Sequence, residues 1–328
     1  MSWVFLAGDR VYKLRKPVKY PFLDFSTLAA REIDCHAEIR LNRRLAPDVY
    51  LGVARLTREG NGALAMNGEG VVVDWLVVMR RLPESGMLDS AIVRGTVTRG
   101  QVERLAALMA GFYRSLGPAE VSEEEYLGRF ARQHVNNRAL LEDGRFGLPG
   151  DGLDRMFTDI ERVLAREPEL LTERVTAGRV VEGHGDLRPE HVCLSEPPVV
   201  IDCLEFNRAL RLVDPFDELA DLAMECERLG ARWIGEILMS RCAQALDDRP
   251  PDRLVAFYTA YRGCVRARLA LAHLLDSKVR DPERWRPLAA QYLALAERAS
   301  LSLRPPGAPP GIHLRGSAES PARTRERH

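Results

Sequence analysis

Residues 180–192 read Val180-Val181-Glu182-Gly183-His184-Gly185-Asp186-Leu187-Arg188-Pro189-Glu190-His191-Val192. Apolar strands are predicted on either side, which makes the polar middle a loop held between rigid elements. A second stretch, Val199-Val200-Ile201-Asp202-Cys203-Leu204-Glu205-Phe206, sets a carboxylate in an apolar strand. Burying an unpaired carboxylate is costly, so Asp202 is expected to have a cation or several donors as its partner. Only 16 residues separate Asp186 from Asp202 (202 minus 186), a separation that a loop and a hairpin readily close. Two carboxylates beside a histidine and an arginine suit a divalent cation with a phosphate, and hard oxygen ligands point to Mg²⁺. The plainer alternative has Asp186 capping a turn and Asp202 paired with an arginine.

Upstream of this segment the chain begins strand-like. Trp3 to Leu6 and Val11 to Leu14 flank a short Gly-containing connection, Ala7-Gly8-Asp9-Arg10,. Ser26 or Thr27 is placed to cap a helix running to about Leu45, with Ala30, Ile33, Ala37, Leu41 and Leu45 as its apolar face and Pro47 as its stop,. Two more strands are predicted around Val49 to Leu56 and Val71 to Arg80, and Pro83 ends this β-rich part. Helical signals then take over. Thr98-x-x-Gln101 is a capping box ahead of Val102, Leu105, Leu108, Met109, Phe112 and Leu116,. Ser122-x-x-Glu125 opens a second helix, and an amphipathic stretch covers about Leu153 to Leu171. Short strands are expected at Arg179 to Val181, Val192 to Leu194 and Val199 to Cys203, and helix again from Phe216 to about Leu303. The stretch from Arg304, rich in Pro, Gly, Ser and Arg, is expected to be disordered,.

Composition narrows the class. Lys+Arg and Asp+Glu both total 47, so no net charge draws the chain to nucleic acid or membrane,. Only four of those cations are lysines (Lys13, Lys16, Lys19 and Lys278). The six cysteines form no C-x-x-C pair, which suits reduced thiols in a soluble, cytoplasmic protein,. No stretch reaches the roughly 18 apolar residues that a membrane span needs.

His184-Gly185-Asp186, four residues, His191, then Ile201-Asp202 resemble the H-x-D-x-x-x-x-N motif and metal-binding aspartate of kinase-fold enzymes,. The His-Gly-Asp variant, with Asp214-Pro215-Phe216-Asp217-Glu218-Leu219-Ala220 downstream, resembles the aminoglycoside phosphotransferase family. The wording of the chain is similar to a bacterial subgroup in which this domain often precedes a P-loop kinase domain. The resemblance runs from about Trp3 to the helices near Leu275. It implies an α+β, two-lobed protein-kinase-like fold: a nucleotide-binding N-lobe over 1–82, a helical C-lobe over 83–303, and the tail at 304–328.

The resemblance also assigns roles. Asp186 would orient the acceptor hydroxyl and take its proton, Asp202 would hold Mg²⁺ on the ATP phosphates, and Arg188 would steady the transferring phosphoryl group. Lys13 would contact the α/β-phosphates with Glu38 as its helical partner; a lysine retained in an arginine-rich chain suits a site for a compact ammonium. The plainer reading of Lys13 is a surface-strand lysine reaching solvent. Asp217 would brace the catalytic loop by accepting backbone N–H bonds, or would be an ordinary helix-start carboxylate. Val77 to Pro83, with Met79 and Arg81, would be the hinge that reads adenine, or an edge strand leaving the sheet.

Two departures from the pattern stand out. His191 replaces the usual asparagine; imidazole is a poor ligand for Mg²⁺, so His191 would either join Asp202 at the metal or touch a phosphate. The sequence starts at Met1-Ser2-Trp3, where the fold usually has a further strand and a phosphate-covering loop, and no G-x-x-x-x-G-K-[ST] occurs. Three readings follow. The first is an ATP- and Mg-dependent phosphotransferase acting on a small-molecule hydroxyl, with Glu205, Asp217, Glu218 and Glu225 available to a cationic acceptor. The second is a pseudokinase-type nucleotide-binding module without turnover. The third is a metal-dependent hydrolase built on His184, Asp186, His191 and Asp202.

Overall fold

The computed structural model describes residues 2–20, 23–276 and 279–305. All but the first two residues of the expected disordered tail lie outside that range.

The β-rich part opens with strands β1 (Ser2–Ala7) and β2 (Arg10–Arg15), an antiparallel hairpin in register Val4 to Lys13. Its turn uses Gly8 at φ +59, a left-handed conformation that costs glycine nothing,. A two-residue ladder of β3 (Lys19–Tyr20) and β4 (Leu23–Asp24) precedes helix α1 (Leu28–Asn42). β5 (Tyr50–Arg58), β6 (Leu64–Met66) and β7 (Val71–Arg80) complete a five-stranded antiparallel sheet in the order β1-β2-β7-β5-β6. Thr27 caps α1 by accepting from Ala30 N at 3.1 Å.

The predicted inner face of α1 holds in part: Leu41 and Leu45 are buried and Ala30 and Ala37 half-buried, but Ile33 is not and charged residues share the face. Ile33 is 70 % exposed, whereas Arg31, Asp34, Glu38 and Asn42 are buried beside Cys35, Ile39 and Leu41. Charges turn inward because the sheet opposite supplies counter-charges, as in Arg31 Nε to Asp74 Oδ1 at 2.8 Å. An apolar-period search cannot see a helix face buried by ion pairing.

Helices follow: α2 (Leu88–Val93), α3 (Arg99–Ser115), α4 (Glu123–Leu141), α5 (Gly150–Arg166) and α6 (Glu169–Thr176). Both halves of the Thr98/Gln101 capping box form at α3. The stretch expected as one helix from Leu153 to Leu171 is two, because Glu167 leaves helical geometry and Pro168 cannot donate an N–H,. Four two-residue strands interrupt: β8 (Val181–Glu182), β9 (Val192–Cys193), β10 (Val199–Val200) and β11 (Leu212–Val213). β9 pairs with β10 and β8 with β11, the last having escaped the sequence reading. Then come α7 (Pro215–Arg228), α8 (Arg232–Ala245), α9 (Asp252–Ala272) and α10 (Pro282–Ser300). None of the described helices is long and apolar enough to cross a membrane.

Two apolar cores result. The larger lies among the helices, where Phe130 packs against Phe257, Tyr258 and Tyr261. The smaller joins Cys35, Ile39, Val49, Tyr50, Val77 and Met79 to Cys193 and Val199. It therefore seats the β9–β10 hairpin directly against the sheet and α1.

The helical part also contains a buried ion cluster. Arg174 Nε donates to Asp214 Oδ2 at 2.5 Å, and its Nη atoms bond Asp248 at 2.9 and 2.5 Å. Substituting Arg174→Met strips buried Asp214 of its cation and leaves Asp248 only Arg179 at 3.7 Å, and is expected to cost about 3–5 kcal/mol. Urea unfolding of the variant checks this.

Candidate active site

The loop between β8 and β9 is shaped by two glycines. Gly185 adopts φ +89, and a Cβ on Gly183 would lie 2.6 Å from Glu218 Oε2 and 2.7 Å from Val213 Cγ2. Glu218 approaches that closely because it braces the loop. Its Oε2 accepts from His184 N at 3.1 Å and from the Tyr113 hydroxyl at 3.0 Å, and its Oε1 accepts from Gly185 N. The bracing role expected of Asp217 thus belongs to its neighbour. Asp217, one residue earlier and 100° around the helix, instead takes a bidentate pair of bonds from Arg262, both 2.6 Å.

His184 is a tie within the fold. Its Nε2–H donates to Ile201 O at 2.9 Å and its Nδ1 accepts from Asp186 N at 3.3 Å. Burial, chiefly, holds its pKa down to about 4. With both nitrogens engaged, His184 has no lone pair for a metal, which removes one ligand from the hydrolase reading.

Asp186 has a cation on each oxygen. Arg266 Nη2 from α9 reaches Oδ1 at 2.9 Å and Arg188 Nε reaches Oδ2 at 3.1 Å. Burial opposes the charge, but Arg266 and then Arg188 outweigh it and hold the carboxyl well below its ordinary range. Arg266 is itself fixed on Asp221 at 2.7 and 3.1 Å. His191 bridges the two aspartates: Nδ1–H donates to Asp186 O at 2.8 Å, and Nε2 lies 3.5 Å from Asp202 Oδ2.

Asp202 does not sit in the strand but two residues beyond β10, in a left-handed conformation at φ +61. Asparagine and aspartate tolerate that region best among residues with a Cβ. The bend is held by Tyr50, whose hydroxyl accepts from Asp202 N at 3.0 Å, and by Asn42, whose Oδ1 accepts from Cys203 N at 2.8 Å. The expected cation is Lys13, with Nζ 2.6 Å from Asp202 Oδ1 and 2.9 Å from Glu38 Oε1. Burial disfavours its charge, but Glu38 and Asp202 overcome this and raise the Lys13 pKa well above the ordinary value.

Arg15, two residues along β2, was not anticipated. Only 3 % exposed, its guanidinium bonds Glu38 and Glu205 through Nη2 and lies 2.6 Å from Asp34 Oδ2 through Nε. Burial and the Glu38 charge push Glu205 up to about 8 against the pull of Arg15. The alternation Lys13, Arg15 on one face of a strand was the available signal.

The carboxylates suggested for a cationic acceptor are thus already engaged: Glu205 by Arg15, Asp217 by Arg262, Glu218 by the loop, and Glu225 by Arg228 and Tyr292. Met79 is buried in the smaller core, and Arg81 is exposed just past β7 with its N–H donating to Asp9 O at 2.8 Å. Neither lines the cleft beside the aspartates. That cleft, about 370 Å³, is lined by Lys13, Arg15, Asp186, Asp202 and Glu205 among others. Asp202 Oδ2, left open by Lys13, suits a hard divalent ion that takes its other ligands from nucleotide and water.

No protein-family description matches the chain. It is 33% identical over 323 residues to uncharacterized proteins of Mycobacterium bovis and Mycobacterium tuberculosis, covering 96% of this chain and 63% of theirs. The chain therefore spans less than two thirds of the length of these curated relatives. Among solved structures it is similar to the GDP and kanamycin complex of APH(2″)-IIIa, at TM-score 0.54 and 16% identity over 91% of this chain and 90% of that one. It is also similar to the GDP complex of wild-type aminoglycoside 2′-phosphotransferase-IIIa, at TM-score 0.52 and 14% identity over 90% and 89%. The fold is the two-lobed kinase-like fold. The sheet with α1 makes the small lobe, the helices make the large one, and the aspartates lie in the cleft between.

Two predictions follow from the site's charges. Glu205 binds a proton in the folded state that the unfolded chain, with an ordinary carboxyl near 4.5, has already released. Stability should therefore fall as pH rises from about 5 to about 8, and Glu205→Gln should flatten that slope. Melting temperatures across pH for both proteins test this. Glu218→Gln can keep at most part of the loop's acceptors, and it should lower stability by about 1–3 kcal/mol in a denaturant titration.

Proposed function

We propose that this chain is an ATP- and Mg²⁺-dependent phosphotransferase acting on a hydroxyl of a small molecule, with Asp186 as the catalytic aspartate and Asp202 as the metal ligand. One observation carries the reading: Lys13 from the small lobe meets Asp186 and Asp202, about 170 to 190 residues further along the chain, in one cleft. The kinase-like fold, shared with proteins whose structures hold GDP and kanamycin, supports a nucleotide donor and a small acceptor.

Bound Mg·ATP would supply the phosphoryl group, with the metal neutralising part of its charge. Lys13, held on Glu38, places its ammonium where the phosphates would enter. Asp202 would hold the metal through Oδ2. Asp186 orients the acceptor hydroxyl: the acceptor O–P bond forms as the bridging O–P bond of ATP breaks, and the hydroxyl proton passes to the carboxylate and on to water. A carboxylate weakened as a base by two guanidiniums acts mainly by positioning, which fits a loose transition state. Arg188 is half-buried and can turn from Asp186 toward the phosphoryl group,. The small lobe through residue 82 would bind nucleotide, with the backbone from Met79 to Arg81, at the end of β7, beside the adenine. The helical part over 83–303 would shape the acceptor pocket.

A nucleotide-binding module without turnover is favoured by one feature, the engagement of both Asp186 oxygens. The test separates the two readings. Saturating ATP with Mg²⁺, at about a hundred times its dissociation constant, should add roughly 2.7 kcal/mol of apparent stability, a rise of several degrees in Tm. Asp202→Ala should abolish that rise. Asp186→Asn should keep it while reducing nucleotide turnover at least about a hundredfold. Absence of any ATP-dependent shift in the wild type refutes the reading, and a shift without turnover leaves the module.

A further inference from the structure

We infer that the acceptor is a polyhydroxylated small molecule carrying an anionic group, a carboxylate or a phosphate, held by Arg94, Arg228 and Arg284. The inference rests on the phosphotransferase reading above and names its substrate class.

A second cavity, about 480 Å³, adjoins the loop that carries Asp186 and shares no lining residue with the cleft of Lys13 and Asp202. Its charged lining is Asp89 on α2, Arg94 just past α2, Glu190 from the β8–β9 loop, Arg228 at the end of α7 and Arg284 on α10. Two ionic paths join this lining to Asp186. Arg188 spans from Asp186 Oδ2 at 3.1 Å to Glu190 Oε1 at 2.6 Å. On the other path Arg228 bonds Glu225 at 2.9 Å, Glu225 lies 3.6 Å from Arg266, and Arg266 reaches Asp186 at 2.9 Å. The cavity thus stands one guanidinium away from the carboxylate that would orient the acceptor.

Its charges do not cancel. Glu190 is taken by Arg188, and Arg228 is balanced by Glu225. That leaves Arg94 and Arg284 against Asp89, and among the described residues neither arginine pairs with a carboxylate. Arg94 donates only to the carbonyl of Ser85. Arg284 lies over the Trp285 ring, 5.2 Å from its centroid, and Arg228 lies over Tyr292 at 5.3 Å. A guanidinium set over an aromatic face keeps its edge N–H groups for a ligand. Such forks match a carboxylate or a phosphate and repel an ammonium group.

Asp89 accounts for the hydroxyls. Its Oδ1 is shielded from water and accepts no hydrogen bond among the described residues. An unmet buried acceptor is costly, and a ligand hydroxyl satisfies it without adding positive charge.

The test loads the full chain with Mg²⁺ and a non-hydrolysable ATP analogue, then titrates it calorimetrically with gluconate, glucose 6-phosphate, glucose and kanamycin. At least one of the two anions should bind about tenfold more tightly than glucose, and their order tells carboxylate from phosphate. The cationic polyol kanamycin should not bind. Arg284→Gln, at an exposed position, should weaken the anion about tenfold and leave nucleotide affinity unchanged,. With ATP, the same substitution should raise KM for the anion by the same factor and spare kcat. Glucose or kanamycin binding as tightly as the anions overturns the inference, as does unaltered anion affinity in Arg284→Gln. Bound nucleotide with neither anion bound also overturns it and leaves the phosphotransferase reading standing. Failure of the nucleotide to bind at all overturns both.

Discussion

Carboxylates buried along one helix impose the constraint on which this molecule depends. α7 buries Asp217, Glu218, Asp221 and Glu225, and its cap Asp214 is buried with them. Each needs a cation or a set of donors, because an unpaired buried charge costs several kcal/mol. Arg174, Arg262, Arg266 and Arg228 supply the cations, and the backbone of the β8–β9 loop supplies the donors to Glu218. Asp217 and Asp221 face Arg262 and Arg266, four residues apart on each helix, so two bidentate rungs lock α7 to α9. The position of Asp186 follows, since Arg266 and the Glu218 brace both act on its loop.

The same logic explains the scarcity of lysine. Of 47 cationic residues only four are lysine, and bidentate pairs between helices need the planar fork of arginine,. Lys13 is the instructive exception. It meets two carboxylates from different directions, Glu38 and Asp202, which a compact ammonium does without the directional demands of a guanidinium. Arg15 does the complementary work deeper in the small lobe, joining Asp34, Glu38 and Glu205. Glu38 and Glu205 thereby link α1 to the segment following Asp202, across the two lobes.

The site is built by a hierarchy of supports. Tyr50 and Asn42, from the small lobe, hold the backbone around Asp202, while His184 ties the β8–β9 loop to Ile201. The smaller apolar core carries the β9–β10 hairpin against the sheet, so Lys13 on β2 and Asp202 beyond β10 are positioned by one packed cluster.

Sequence by itself determined the four longer strands of the small lobe and the capped helices, because alternation and caps are local signals; the pairing of Lys13 with Glu38 came from the resemblance, and its contact with Asp202 only from the structure. It also called for a cation or several donors at Asp202, and Lys13 is such a cation, although the carboxylate is only half-buried. Which neighbour would brace the loop was decided only by the tertiary structure, because Asp217 and Glu218 are adjacent in sequence yet point in different directions on the helix. The inward charges of α1 were likewise illegible, as a buried ion pair breaks the apolar period that marks a helix face. Arg266 lies 80 residues beyond Asp186, and only the packing of α9 on α7 brings its guanidinium to that carboxylate.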